Sequence, residues 1–195
     1  MSTPTMAADA AVIFLGPSRS VRSAAELAYR LVVEQARHPA FFFEWGVPDT
    51  LDGRFELICL HAFFYLHRLK SERPRSARLG QCFFDTMFGE LDRALRESGT
   101  GDLRVGKEVK RMAQGFYGRI RAYEAGLAAD DSVLGSAIAR NLFGTVPGEA
   151  RPVTAVAEYV RAQIAALARQ PAAGLLAGRI RFKPPAGRDL SMVAQ

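Results

Sequence analysis

The sequence predicts an all-α fold, a single compact domain of about six helices around one buried central helix. Three observations predict it. Apolar residues recur in steps of three and four along successive segments, each bounded by capping or breaking residues. No stretch of useful length alternates apolar and polar residues as a half-buried strand does, and no internal repeat is present. Between Leu57 and Leu66 only His61 interrupts an apolar run, so that helix has no polar face to give to water. The run is far shorter than the roughly 20 residues a bilayer demands, and burial inside a protein is its natural fate. At 195 residues the chain is long enough for one sizeable core.

Residues 1 to 17 read as a loosely held lead segment ending at Gly16-Pro17. In the first helix Ser23 and Glu26 make a capping-box pattern, and Leu27, Leu31 and Val32 give an apolar face until His38-Pro39 ends it. Phe41, Phe42, Phe43 and Trp45 then lie between Pro39 and Pro48, as a single helical turn or a loop pressed onto the core. The central helix follows over about 52 to 71. A basic connector carries Arg68, Lys70, Arg73, Arg75 and Arg78, with Pro74 marking the break.

The third helix, about 76 to 98, has Phe84, Phe88, Leu91 and Leu95 at helical spacing, and Gly99 is placed to cap it. The fourth, about 105 to 128, carries the stripe Val105, Val109, Met112, Phe116, Ile120, Tyr123 and Leu127. Asp130 or Asp131 caps a fifth helix that stops near Gly144 and Pro147. The sixth opens at Arg151-Pro152 and steps through Val153, Val156, Val160, Ile164 and Leu167. The helical body therefore spans 18 to 170, and a tail of 171 to 195 makes a short extended contact through GRIRFKPP.

Apolar residues make up 49% of the chain, which supports a packed globular protein and excludes a disordered one. The net charge of +6 favours an anionic neighbour such as a phospholipid surface or ribosomal RNA, or serves solubility alone. Cys59 and Cys82 lie in apolar helical segments without metal or paired spacing, so they read as buried thiols of a reducing compartment. The apolar run from Ala10 to Leu15 has no preceding positive charge and does not make a secretory signal. The expected location is cytoplasmic, with any membrane contact peripheral, at the inner face of the cytoplasmic membrane.

Catalytic traces are missing. There is no Gly-rich phosphate loop, HExxH, haem-attachment or GxSxG motif. His61 and His67 point to different faces of one helix, and a local bond to backbone or carboxylate is their natural reading. Asp85 and Asp92 share a helix face but lack the Glu and Glu-x-x-His sets that a di-iron bundle needs. The chain reads as a non-enzyme with no cofactor and no metal.

Two features invite function. Asp49 and Asp52 flank the start of the central helix and suit capping of its free amides. The functional reading makes Asp49, Asp52 and Arg54 a polar rim beside Phe41, Phe42 and Trp45, together offering a groove to a partner segment. Arg104, Lys107, Lys110 and Arg111 cluster at the start of the fourth helix, where cations oppose the helix dipole. They are a solvated face, or an anion patch for phospholipid headgroups or ribosomal RNA.

Three blocks carry a resemblance: EQARHPAFFFEWGVPDTLDGRFELICLHAFFYLHRLK, CFFDTMFGELDRALRESGTGDLRVGKEVKRMAQGFYGRIRAYEAGL and LGSAIARNLFG. In order, over residues 34 to 144, they resemble the ubiquinol-cytochrome c chaperone family. The family includes mitochondrial assembly factors of the cytochrome bc complex and shorter alphaproteobacterial homologues. This chain is similar to the bacterial form, beginning almost directly at the shared helix without the long N-terminal extension. The resemblance implies a non-enzymatic assembly factor that holds newly made cytochrome b, or another membrane-protein client, until haems and partner subunits join. It implies ribosome contact in the mitochondrial members, and no site for their small partner chaperone is legible here. Carried onto this chain, the client contacts are the turn Asp49, Asp52, Gly53 and Arg54, the aromatics before it, and Gly101-Asp102 with Lys107 and Lys110. The alternative to the assembly role is a general anion-binding module acting through the basic helix face. A haem- or quinone-handling enzyme, signalled by a role for His61, is a third class.

Overall fold

Every long helix packs against one that has almost no polar surface. The computed structural model describes residues 17–144 and 152–185. In chain order the elements are α1 (Arg19–Ala36), α2 (Ala40–Phe43), α3 (Leu51–Lys70), α4 (Ala77–Glu97), α5 (Asp102–Ala128), α6 (Asp131–Leu142), α7 (Val153–Ala168) and α8 (Ala172–Leu176). α3 contacts α1, α4, α5, α6 and α7, and among its residues from Phe55 to Tyr65 only Ile58 is not fully buried. The expected all-α architecture around a central helix is observed. No strand occurs among the described residues.

α1 starts a turn earlier than the Ser23 pattern predicts. Its cap is Ser18, whose side chain accepts from Val21 N. The buried seam is Ala24, Ala25, Ala28, Val32 and Ala36, with Leu27 and Leu31 only partly buried beside it. Small residues there let α1 lie close to α3 and α4.

The cap of α3 is neither aspartate. Thr50 Oγ1 accepts from Gly53 N at 3.1 Å, and Asp52 occupies the first turn, where its charge suits the helix dipole. Gly53 is required sterically: a Cβ there would lie 2.0 Å from the Pro48 carbonyl oxygen. The residue that follows α4 as its expected cap is Gly99, at φ 84°, with its N–H donating to Arg96 O and that of Thr100 to Leu95 O. Asp130 caps α6 by accepting from Ser132 N and Val133 N.

Beyond α7, α8 and an extended segment continue to pack. Leu175 and Ile180 are core residues. The extended backbone has no ladder partner among the described residues and is held by glutamines: Gln163 pairs with both backbone groups of Lys183, Gln35 donates to Lys183 O, and Gln170 pairs with both backbone groups of Arg181. These side chains stand in for a neighbouring strand. Residues 1 to 16 of the expected lead segment 1 to 17, the expected helix boundaries at Pro147 and Arg151, and the last ten residues of the chain lie outside the described residues.

Candidate functional site

The turn between α2 and α3 was the sequence's first candidate, and the four-residue helix α2 decides which of its aromatics face outward. Phe41 is 0% exposed and Trp45 5%. Their rings meet each other at 5.2 Å and both meet Tyr159 of α7, while Phe41 also meets His61 of α3 at 5.3 Å. Phe42 is half-buried against the same core. The expectation that Phe41, Phe42 and Trp45 form an open contact surface is therefore corrected: edge-to-face packing on α3 and α7 takes Phe41 and Trp45 inside. The aromatic left outside is Phe43, 84% exposed, a member of the same cluster that the contact set of Phe41, Phe42 and Trp45 leaves out. Leu51, 65% exposed, opens α3 on the far side of the turn.

The polar part of the turn stays at the surface. Arg54 Nε donates to Asp49 Oδ1 at 2.6 Å, and Nη2 to Oδ2 at 3.2 Å, a fork-to-fork pair in solvent. The Arg54 hydrogen bond holds the Asp49 carboxyl below the usual carboxylate range. Asp52 is exposed at the lip of a polar hollow whose floor holds a partly buried ion pair. There Arg119 on α5 grips Glu56 on α3 with both Nε and Nη2. Burial pushes the Glu56 carboxyl up, and the Arg119 hydrogen bonds oppose that rise without cancelling it. Gly115 makes room for this guanidinium, since a Cβ there would lie 2.7 Å from Arg119 Nη1.

The histidines are structural. His61 Nδ1 lies 2.7 Å from Leu57 O and must carry the proton, so Nε2 accepts from Tyr159 Oη at 2.9 Å. Tyr159 Oη in turn accepts from Gln35 Nε2. Full burial lowers the His61 pKa to about 4, against a weaker opposing effect of the Leu57 carbonyl. His67 faces Glu124, and His38 Nδ1 accepts from Ala40 N. Asp85 accepts from Gln81, and Asp92 pairs with Arg96. Among the described residues no His, Cys, Asp or Glu cluster has the makings of a metal site.

Of the four cations expected to form an anion patch, three converge. Arg104, Lys107 and Arg111 line a cleft of about 550 Å³ beside the α4–α5 turn, together with Ser98, Gly99 and Glu108. Lys110 is exposed but does not line it. Arg111 is held by Glu108, whose carboxyl it keeps below the usual range; the charge of Arg104 acts on the same carboxylate, but neither Arg104 nor Lys107 closes a direct ion pair among the described residues.

The chain as a whole is similar to known proteins. The model of the ubiquinol-cytochrome C chaperone family matches residues 43–182, from Phe43 into the glutamine-held segment. The chain belongs to that family. A Xenopus laevis relative named ubiquinol-cytochrome-c reductase complex assembly factor 1 is 26% identical over 92% of this chain and 92% of its own length. The Saccharomyces cerevisiae mitochondrial protein CBP3 is 26% identical over 74% of this chain but only 44% of its own. The crystal structure of the Cbp3 homologue from Brucella abortus superposes with a TM-score of 0.75 at 34% identity, covering 84% of this chain and 91% of that one. The ubiquinol-cytochrome C chaperone fold is therefore shared with a solved structure. Among the described residues no helix is long and apolar enough to cross a membrane.

Proposed function

We propose that this chain is a non-enzymatic assembly factor of the cytochrome bc complex that holds newly made cytochrome b before its partners join. Membership of the ubiquinol-cytochrome C chaperone family, with a match over residues 43–182, carries this reading. The client is a bundle of apolar helices, so a holding factor needs exposed apolar groups beside a charged border. Phe43 and Leu51 supply the first and the Asp49–Arg54 pair the second. Contact with an anionic surface, membrane or ribosome, is assigned to the cleft of Arg104, Lys107 and Arg111, with Lys110 adding to the field.

Deleting the gene is expected to lower the amount of assembled bc complex and ubiquinol oxidation together. Wild type restores both, and a Phe43→Asp, Leu51→Asp double variant does not. Normal complex levels in the deletion strain would sink the proposal. The convergence of Arg104, Lys107 and Arg111 favours a second reading, a general anion-binding module. That reading gains if the purified protein binds RNA with a steep salt dependence while its deletion leaves cytochrome b untouched.

A further inference from the structure

The turn before α3 is not the only apolar feature left open. α4 and α5 meet at the turn of residues 98–101, and toward the opposite end of α4 a groove of about 250 Å³ lies between α3, α4 and α5. Leu66, Phe84 and Phe116 line it, and Tyr117, 49% exposed, stands on its α5 wall. The Phe84 and Tyr117 rings stack at 5.3 Å with planes 27° apart, which fixes that wall. On the α4 side Gly80 contributes no side chain. A Cβ there would touch only Leu66 Cδ2 at 3.8 Å, an ordinary contact, so the backbone packing does not demand glycine and the space stays open.

The charged residues that line the groove have one sign. No Asp or Glu lines it, while Lys70 and Arg73 do. Lys70 is occupied by Glu124, but Arg73 has no carboxylate partner among the described residues, and exposed Arg75 follows it on the same connector, with exposed Arg78 in the first turn of α4. A surface that is apolar at its centre, lined by Phe and Tyr and bordered by arginine is built like the core and rim of a protein interface.

We propose that this groove docks one apolar helical turn of a polypeptide partner whose acidic side chain meets Arg73. The groove is short and open, with room for a few aliphatic side chains rather than for an acyl chain along its length. Charge complementarity sets the orientation: the acidic residue lies at the α3–α4 connector and the apolar residues lie toward Phe84 and Tyr117. The inference deepens the assembly reading and rests on it for the class of partner.

The test uses the full chain and a fluorescent helical peptide with Leu and Phe on one face and two Glu at one end, followed by anisotropy. Gly80→Phe, which fills the groove, and Arg73→Glu are each expected to weaken binding by about tenfold or more. A peptide with Lys in place of Glu is expected to bind weakly to wild type and to recover on Arg73→Glu, a charge swap that simple misfolding does not reproduce. Unchanged peptide affinity in Gly80→Phe would overturn the proposal. So would binding only to phosphatidylglycerol vesicles, which would make the groove a lipid site. Peptide binding lost by Gly80→Phe in a protein whose gene deletion leaves bc assembly normal would support the groove and remove the assembly role. Absent peptide binding with failed assembly in the deletion strain would do the reverse.

Discussion

Phe41 and Phe43 sit two residues apart on the same single-turn helix, yet one is sealed at 0% exposure and the other stands 84% in solvent. The sealed region around Phe41 is an aromatic knot of Trp45, His61, Phe64 and Tyr159, with its hydrogen bonds closed inside. The open regions, Phe43 with Leu51 and the groove of Phe84 and Tyr117, use the same residue types without covering them. Hydrophobicity alone does not separate stability from function in this chain. What separates them is whether a neighbouring helix supplies a lid, and α7 does so for Phe41 through Tyr159.

The comparison breaks most visibly if the sealed side proves soft. Phe41→Ala is expected to cost about 4 kcal/mol, read as a lowered denaturation midpoint at unchanged slope. Arg119→Ala is expected to cost about 3 kcal/mol because it strands the buried Glu56 carboxylate. Replacing both Glu56 and Arg119 by Met is expected to recover most of that loss, as measured in the same unfolding experiment.

Acid sharpens the same contrast. His61 titrates near 6.5 when unfolded and at about 4 when folded, so the unfolded chain takes up the proton first. Its contribution to stability is complete above about pH 6.5, declines as pH falls from there, and is fully lost below about 4, a swing of about 3 kcal/mol. Denaturation midpoints collected between those limits check it, and a His61→Gln variant is expected to lack that component. Smallest of all, Phe43→Ser is expected to change stability by less than about 0.5 kcal/mol. A large loss there would mean that Phe43 is structural after all.

The six long helices were legible because each repeats its apolar step over several turns, enough to outvote local irregularities. The aromatic turn was not, since four residues carry too little periodicity to say which ring faces inward. Ser23 misled the start of α1 because the turn before it buries no residue fully and offers only the partly buried Val21 as an apolar step. The glutamine-held segment near Lys183 leaves no sequence pattern, because amides from Gln35 and Gln163 are distant in the chain. The Glu56–Arg119 pair is likewise set by the meeting of α3 and α5. Of the basic patch, proximity in sequence groups Arg104, Lys107, Lys110 and Arg111 alike, and only the folded helix shows that Arg104, Lys107 and Arg111 line one cleft while Lys110 lies off it. The one legible hint of the groove is Tyr117, an aromatic just off the stripe that runs through Phe116 and Ile120.

The most direct test places a photo-crosslinking residue at position 43 in growing cells and identifies what it captures, with position 41 as the sealed control. The account predicts that newly made cytochrome b is captured from position 43 and nothing is captured from position 41. Capture of no membrane polypeptide from position 43, in cells where the variant still supports bc complex assembly, would contradict it.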